Sequence, residues 1–134
     1  MHLVSLSVST TVQTIGQEAF YKCERLASVC FKPGSQLKTI ESGAFCGTGV
    51  ERMEFPQTLE KIGQGAFYAC KSLVEVRFSE DSMLSEIGSA AFRGSGVREF
   101  CAPDKLQVIG SNAFEDCSQL RTVVLNWGLQ SVGE

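Results

Sequence analysis

Apolar and polar positions along this chain follow a pattern that returns about every 23 residues. Successive copies lie 25, 22, 25, 22 and 23 residues apart, so long and short copies alternate. One isoleucine or valine marks each copy: Ile15, Ile40, Ile62, Ile87, Ile109 and Val132. Because a unit of this size cannot enclose its own apolar face unless copies stack, the period predicts a solenoid.

Each copy contains three segments. The first, such as LVEVRF, alternates apolar and polar residues and predicts a half-buried strand. A turn that contains Pro or Gly in most copies leads to a short extended piece such as LEKI, for which we expect a second, shorter ladder. The last segment contains an Ala-Phe pair and is long enough for one or two helical turns. Its serines stand where a helix N-cap would lie: Ser42, Ser89 and Ser111.

The Ala-Phe pairs predict the core. One phenylalanine per copy would form a ladder along the solenoid: Phe20, Phe45, Phe67, Phe92 and Phe114. The alanine before each of them allows neighbouring coils to pack closely. Glycines after the aligned isoleucine are expected to permit a sharp turn: Gly16, Gly63, Gly88 and Gly110. The predicted fold is a right-handed, all-parallel α/β coil of about five and a half units, with a sheet of five or six strands on one face and short helical turns on another.

Composition and charge exclude several classes of protein. The net charge is −3 and the basic residues are scattered, which argues against nucleic-acid or anionic-membrane binding. No apolar run approaches the roughly 18 residues of a membrane span, so no membrane insertion is expected. The first residues, MHLVSLSVSTTV, lack the basic start and continuous apolar run of a signal peptide.

The six cysteines invite a disulfide framework, but the repeat geometry argues against one. Cys23, Cys70 and Cys117 recur every 47 residues, two coils apart, and should be separated by roughly 10 Å. A disulfide needs Cα atoms within about 7 Å. Metal binding and thiol catalysis lack partners too, because the only histidine is His2 and no C-x-x-C is present. We therefore expect free thiols, no metal, no cofactor and no enzymatic activity.

The repeat L-x-x-I-G-x-x-A-F-x-x-C-x-x-L-x-x-V resembles the BspA-like leucine-rich repeat over essentially the whole chain. The resemblance implies one leucine-rich-repeat solenoid over residues 1–134. It also implies a kind of protein often found on the surface of mucosal bacteria and protozoan parasites, where such repeats are associated with adhesion to host matrix proteins or binding to other cells. The short copies lack the cysteine, and Glu41 replaces the glycine in one copy.

A protein ligand would contact the outward side chains of the longer strands. The alternation places Arg52 beside Glu75, and Glu54 beside Arg77, on neighbouring strands, and Glu99 continues the first row. Two interpretations stay open. The opposite charges stabilise the sheet by about 0.2 to 1 kcal/mol per pair, or they contact a partner.

The ends and the compartment leave further alternatives. Apolar residues occupy the end coils, so we expect this chain to be part of a longer array, or else to self-associate through its uncapped ends. The function predicted is a non-enzymatic protein-binding module, at the cell surface or secreted. The alternative is an intracellular, cytoplasmic interaction scaffold.

Overall fold

The computed structural model describes residues 2–133, in which longer strands alternate with two-residue strands. The longer strands form what we name the strand face. In chain order the elements are β1 (Ser5–Val8), β2 (Thr14–Ile15), β3 (Ser28–Phe31), β4 (Thr39–Ile40), β5 (Arg52–Phe55), β6 (Lys61–Ile62), β7 (Glu75–Phe78), β8 (Glu86–Ile87), β9 (Glu99–Cys101), β10 (Val108–Ile109), β11 (Thr122–Val124) and β12 (Ser131–Val132).

The continuous sheet of this solenoid is the one formed by the short strands. All six of them pair in parallel, in the order β12-β10-β8-β6-β4-β2. The longer strands pair in parallel only two by two, as β1–β3, β5–β7 and β9–β11. The second ladder predicted for the LEKI-type segments is therefore present along the whole stack of about six coils. The single sheet of five or six strands predicted for the strand face is wrong.

The Ala-Phe segments are hydrogen-bonded turns, so the prediction of helical turns is also wrong. Within residues 2–133 the structure contains no helix, and hence none able to cross a membrane. Successive N–H groups alternate between two kinds of acceptor. The Ala66 N–H donates to Gly63 O in its own turn at 3.2 Å, and the Phe67 N–H donates to Ala91 O of the next coil at 2.7 Å. An α-helix would direct every N–H to the residue four positions earlier.

Backbone dihedrals explain why the helix does not form. Each inner Ala-Phe segment contains two residues with positive φ, such as Ala90 at 56° and Gly94 at 70°. Left-handed residues interrupt a right-handed helix. The serines predicted as N-caps consequently have no helix to cap. The carbonyl oxygen of Ser89 accepts instead from the Gly65 N–H of the preceding coil at 2.9 Å.

The turn predicted after the aligned isoleucines is present, but at Gly63, Gly88 and Gly110 glycine is needed for close approach between coils. None of Gly16, Gly63, Gly88 and Gly110 has positive φ. A Cβ on Gly88 would lie 2.6 Å from the backbone nitrogen of Gln64 in the preceding coil. Because the backbones of the two coils lie so close together, there is no space between them for a side chain.

Stacked phenylalanine rings fill the centre, as predicted. Neighbouring ring centroids along the ladder are 5.3–5.4 Å apart and the planes differ by 4–15°. Phe67 is fully buried between Phe45 and Phe92, and its ring also meets the edge of Phe55 from the strand face. The end rings Phe20 and Phe114 are only partly buried. Apolar burial by stacking therefore holds the coils together.

A column of small polar side chains runs beside the phenylalanines. The Cys70 thiol donates to Phe45 O at 3.0 Å and lies 3.4 Å from the Thr48 hydroxyl. Cys117 repeats the arrangement with Phe92 O and the Ser95 hydroxyl, at the same two distances. The alternation of cysteine in long copies with threonine or serine in short copies therefore creates hydrogen bonds between adjacent coils.

Candidate protein-binding face

The strand face presents outward the side chains that the alternation predicted. Arg52 aligns with Glu75, and Glu54 aligns with Arg77, in the parallel register of β5 and β7. Glu99 aligns with Thr122 in the next pair of strands. Of the five predicted contact residues, Glu75 is half-buried and the other four are exposed. These residues therefore share one accessible face.

Of the two ion pairs expected from the sequence, Arg52 with Glu75 is present, and Glu54 with Arg77 is not. Glu75 accepts from both arginines: its Oε2 lies 3.4 Å from Arg52 Nε, and its Oε1 pairs with Arg77 Nε. Among the described residues Glu54 makes no ion pair. Because Arg77 turns toward the carboxylate on its own strand, Glu54 is left available to a partner.

Two clefts open on the strand face where pairing between the longer strands stops. One lies between β3 and β5 and has a volume of about 280 Å³. The other lies between β7 and β9 and has a volume of about 520 Å³. Both breaks occur where a short copy follows a long copy. At the entrance to each break the backbone is still connected, because Glu51 N–H donates to Ala27 O at 3.1 Å and Arg98 N–H to Val74 O at 3.3 Å.

A valine and a phenylalanine form the floor of each cleft. Val29 and Phe31 line the β3–β5 cleft, and Val76 and Phe78, 47 residues later, line the β7–β9 cleft. These inward side chains are only partly buried, whereas Met53 and Phe55 of β5 are buried. Loss of strand pairing thus exposes apolar surface in the two clefts.

The rims of the clefts differ in charge. Glu51, Arg52 and Glu54 border the β3–β5 cleft, which gives it two carboxylates and one guanidinium group. Three guanidinium groups and two carboxylates border the β7–β9 cleft: Arg52, Arg77, Arg98, Glu75 and Glu99. The first rim therefore has a negative balance and the second a positive one.

Sequence reasoning missed Glu51 and Arg98, which precede their strands. Both are exposed, and neither forms an ion pair within residues 2–133. Strand alternation did not include them because it covers the strand residues alone. Their positions 47 residues apart, with opposite charges at equivalent places of the long period, were the signal that could have found them.

Two of the cysteines, Cys70 and Cys101, have environments that disfavour the thiolate. Burial raises the pKa of the Cys70 thiol to about 11. Partial desolvation, and then the Glu99 carboxylate, raise the pKa of Cys101 on the strand face. A raised pKa disfavours the nucleophilic thiolate. Among the described residues no cluster of His, Cys, Asp and Glu is arranged to hold a metal ion.

The outer surface of the Ala-Phe segments is a weaker candidate for binding. Its main charged cluster is internally paired, since Arg93 Nε lies 3.3 Å from Glu115 and 3.5 Å from Asp116. The same guanidinium group lies over the ring of Tyr68, at 5.9 Å. A charge that already has these partners has less to gain from a ligand than Glu54 or Arg98.

Solved structures with a similar fold are bacterial leucine-rich repeat proteins. The pneumococcal vaccine antigen PcpA is 27% identical with a TM-score of 0.82, and the match covers 93% of this chain and 31% of that one. The T. pallidum leucine-rich repeat protein TpLRR is 26% identical with a TM-score of 0.61, over 98% of this chain and 60% of that one. A leucine-rich cell surface protein from Faecalibacterium prausnitzii A2-165, 24% identical with a TM-score of 0.61, matches in fold over 98% of this chain and 40% of its own.

This chain thus spans less than two thirds of the length of each of these proteins. No curated protein is similar enough in sequence to be matched with it. A family model for the BspA-type leucine-rich repeat region, however, matches residues 1–121 with six copies. The period, the stacked Ala-Phe turns and this match agree, and the chain belongs to the BspA-type leucine-rich repeat family.

Proposed function

We propose that this chain is a non-enzymatic protein-binding module that contacts its ligand through the strand face. The contact residues would be Arg52, Glu54, Glu75, Arg77 and Glu99. The observation that carries the proposal is the pair of clefts on this face, with apolar floors and with charged groups that lack an ion-pair partner among the described residues. Partly exposed apolar surface beside such charges is typical of protein contact sites.

Adhesion at the cell surface, or after secretion, is the role we propose for the module. The family resemblance supports it, and a related structure at 27% identity is that of a vaccine antigen. The intracellular scaffold stays as a second candidate because five cysteines, Cys30, Cys46, Cys70, Cys101 and Cys117, are free thiols. Free thiols are ordinary in a reducing compartment and less common outside the cell.

Charge reversal on the strand face tests the proposed contact residues. Glu75 forms ion pairs with two arginines. The triple variant Arg52→Glu, Glu75→Arg and Arg77→Glu therefore preserves both ion pairs with inverted signs. We expect its stability to change by less than about 0.5 kcal/mol. Binding to purified extracellular-matrix proteins, measured by surface plasmon resonance, should weaken for any that the unmodified chain binds.

The matched control lies on the continuous short-strand sheet. Lys61 and Glu86 form an exposed ion pair of 3.0 Å between neighbouring coils, and exchanging them leaves the strand face intact. We expect that exchange to leave affinity unchanged. Equal effects of the two variants would exclude the strand face as the contact site, and a panel in which no matrix protein binds would contradict the adhesive role.

A further inference from the structure

The two clefts are copies of one another whose rims carry opposite net charge. Their floors use the same residue types at equivalent places, Val29 with Phe31 and Val76 with Phe78. At the first rim position Glu51 is replaced by Arg98, and both side chains are exposed. A partner that fits both floors must therefore meet opposite charges at the two rims.

We infer that the clefts together bind one extended segment of the partner protein. Two apolar side chains of the segment enter the clefts, with a basic residue beside the β3–β5 rim and an acidic residue beside the β7–β9 rim. The inference rests on the proposed function and names the ligand chemistry of that same face. Charge complementarity at both rims fixes this class of partner.

The spacing of the apolar side chains follows from the coil repeat. The clefts lie two coils apart, and neighbouring strands are separated by about 4.8 Å, which gives roughly 10 Å between the clefts. A segment in the extended polyproline II conformation advances about 3.1 Å per residue with three residues per turn, so side chains three residues apart point the same way at about 9 Å. The segment is consequently of the form basic–apolar–x–x–apolar–acidic, lying across the strands.

Pairing within the face leaves the required charges available. Arg52 and Arg77 are already paired with Glu75, and Glu99 accepts a weak hydrogen bond from the Cys101 thiol at 3.8 Å. Glu54 and Arg98 make no ion pair within the described residues. We therefore expect Glu54, with Glu51, to receive the basic group and Arg98 to receive the acidic group.

Synthetic peptides of defined sequence provide the test. We would titrate the ¹⁵N-labelled chain with KLSSLE, and with KLSSLK, ELSSLE and KSSSSE as comparisons, and follow the backbone amide shifts. KLSSLE should shift amides of β3, β5, β7 and β9 and should bind about threefold more tightly than KLSSLK or ELSSLE, which carry like charges at both ends. KSSSSE should bind more weakly still, because it has no apolar side chain for the cleft floors.

Charge reversal of Arg98 makes the test specific. The Arg98→Glu variant should prefer KLSSLK over KLSSLE, a reversal of the original preference by about threefold in each direction. Arg121→Glu is the matched control, because Arg121 is exposed and holds the same position in the next coil, outside both clefts. This control should keep the original preference.

Either of two results would overturn the inference. One is KLSSLE binding no better than KSSSSE, and the other is an unchanged preference in Arg98→Glu. Failure of the proposed function is distinguishable, since it is measured with matrix proteins and with the triple charge reversal. A matrix protein whose affinity drops in the triple variant but not in Arg98→Glu would retain the function and reject the two-cleft mode.

Discussion

The two sides of the coil hold neighbouring units together in different ways. On the Ala-Phe side, the short strands and the turns are hydrogen-bonded from coil to coil through the whole stack. On the strand face, pairing is interrupted at every second interface, between β3 and β5 and between β7 and β9. The first side repeats nearly the same residues in each copy, and the second varies them. Stability and recognition are therefore carried by opposite sides of the same coil.

The largest expected effect comes from the phenylalanine ladder. Phe67 is fully buried, stacked at 5.3 Å on both Phe45 and Phe92, so Phe67→Ala should lower the free energy of unfolding by about 3 to 5 kcal/mol. Phe114→Ala is the matched variant and should cost less, because that ring is only partly buried. Denaturant unfolding measures both, and equal losses would show that position in the stack does not determine the cost.

Close approach on the Ala-Phe side provides the next test. Gly88→Ala would place a Cβ 2.6 Å from the Gln64 nitrogen, and we expect a loss of about 1 to 3 kcal/mol as the coils separate. Gly16 has no heavy atom within 4 Å of the same position, so Gly16→Ala should change stability by less than about 0.5 kcal/mol. Thermal or denaturant unfolding of the two variants shows whether the cost of an added Cβ comes from packing between coils or from backbone conformation. A destabilising Gly16→Ala would contradict the packing explanation.

Alkaline pH should lower the free energy of unfolding through the buried thiol of Cys70, which lies beside the phenylalanine ladder. Burial raises the pKa of Cys70 from 9.0 to about 11, in spite of its hydrogen bond with Thr48. Below pH 9 the thiol is protonated in both the folded and the unfolded chain. As pH rises toward 11 the unfolded chain loses the proton and the folded chain keeps it, so the free energy of unfolding should fall, by on the order of 2 kcal/mol.

A variant without the thiol provides the comparison for this pH effect. Cys70→Ala should be less stable at neutral pH, because the Thr48 hydroxyl then lacks its sulfur partner. Its stability should nevertheless depend less on pH between 9 and 11 than that of the unmodified chain. The same slope in both proteins would place the titration at another group.

Much of the fold and of the face could be predicted from the sequence. The period located the coils, the Ala-Phe pairs located the ladder, and strand alternation placed Arg52, Glu54, Arg77 and Glu99 outward. Glu75 was assigned to the correct face and its pairing with Arg52 was expected, but its pairing with Arg77 was not. The sequence shows which side chains lie next to one another on neighbouring strands. It does not show which rotamer an arginine adopts, and that rotamer determines which carboxylate the arginine pairs with.

By itself, the sequence determined which residues recur, and therefore which positions must be buried when coils stack. Burial depends on residue type and period, both of which are local properties of the chain. Only the tertiary structure decided that the Ala-Phe segments are turns, that strand pairing stops at β3–β5 and β7–β9, and that Glu54 and Arg98 make no ion pair within residues 2–133. Those features depend on hydrogen bonds and offsets between neighbouring coils. The distances between atoms of neighbouring coils are set when the coils pack against one another, and they cannot be read from the spacing of residues along the chain.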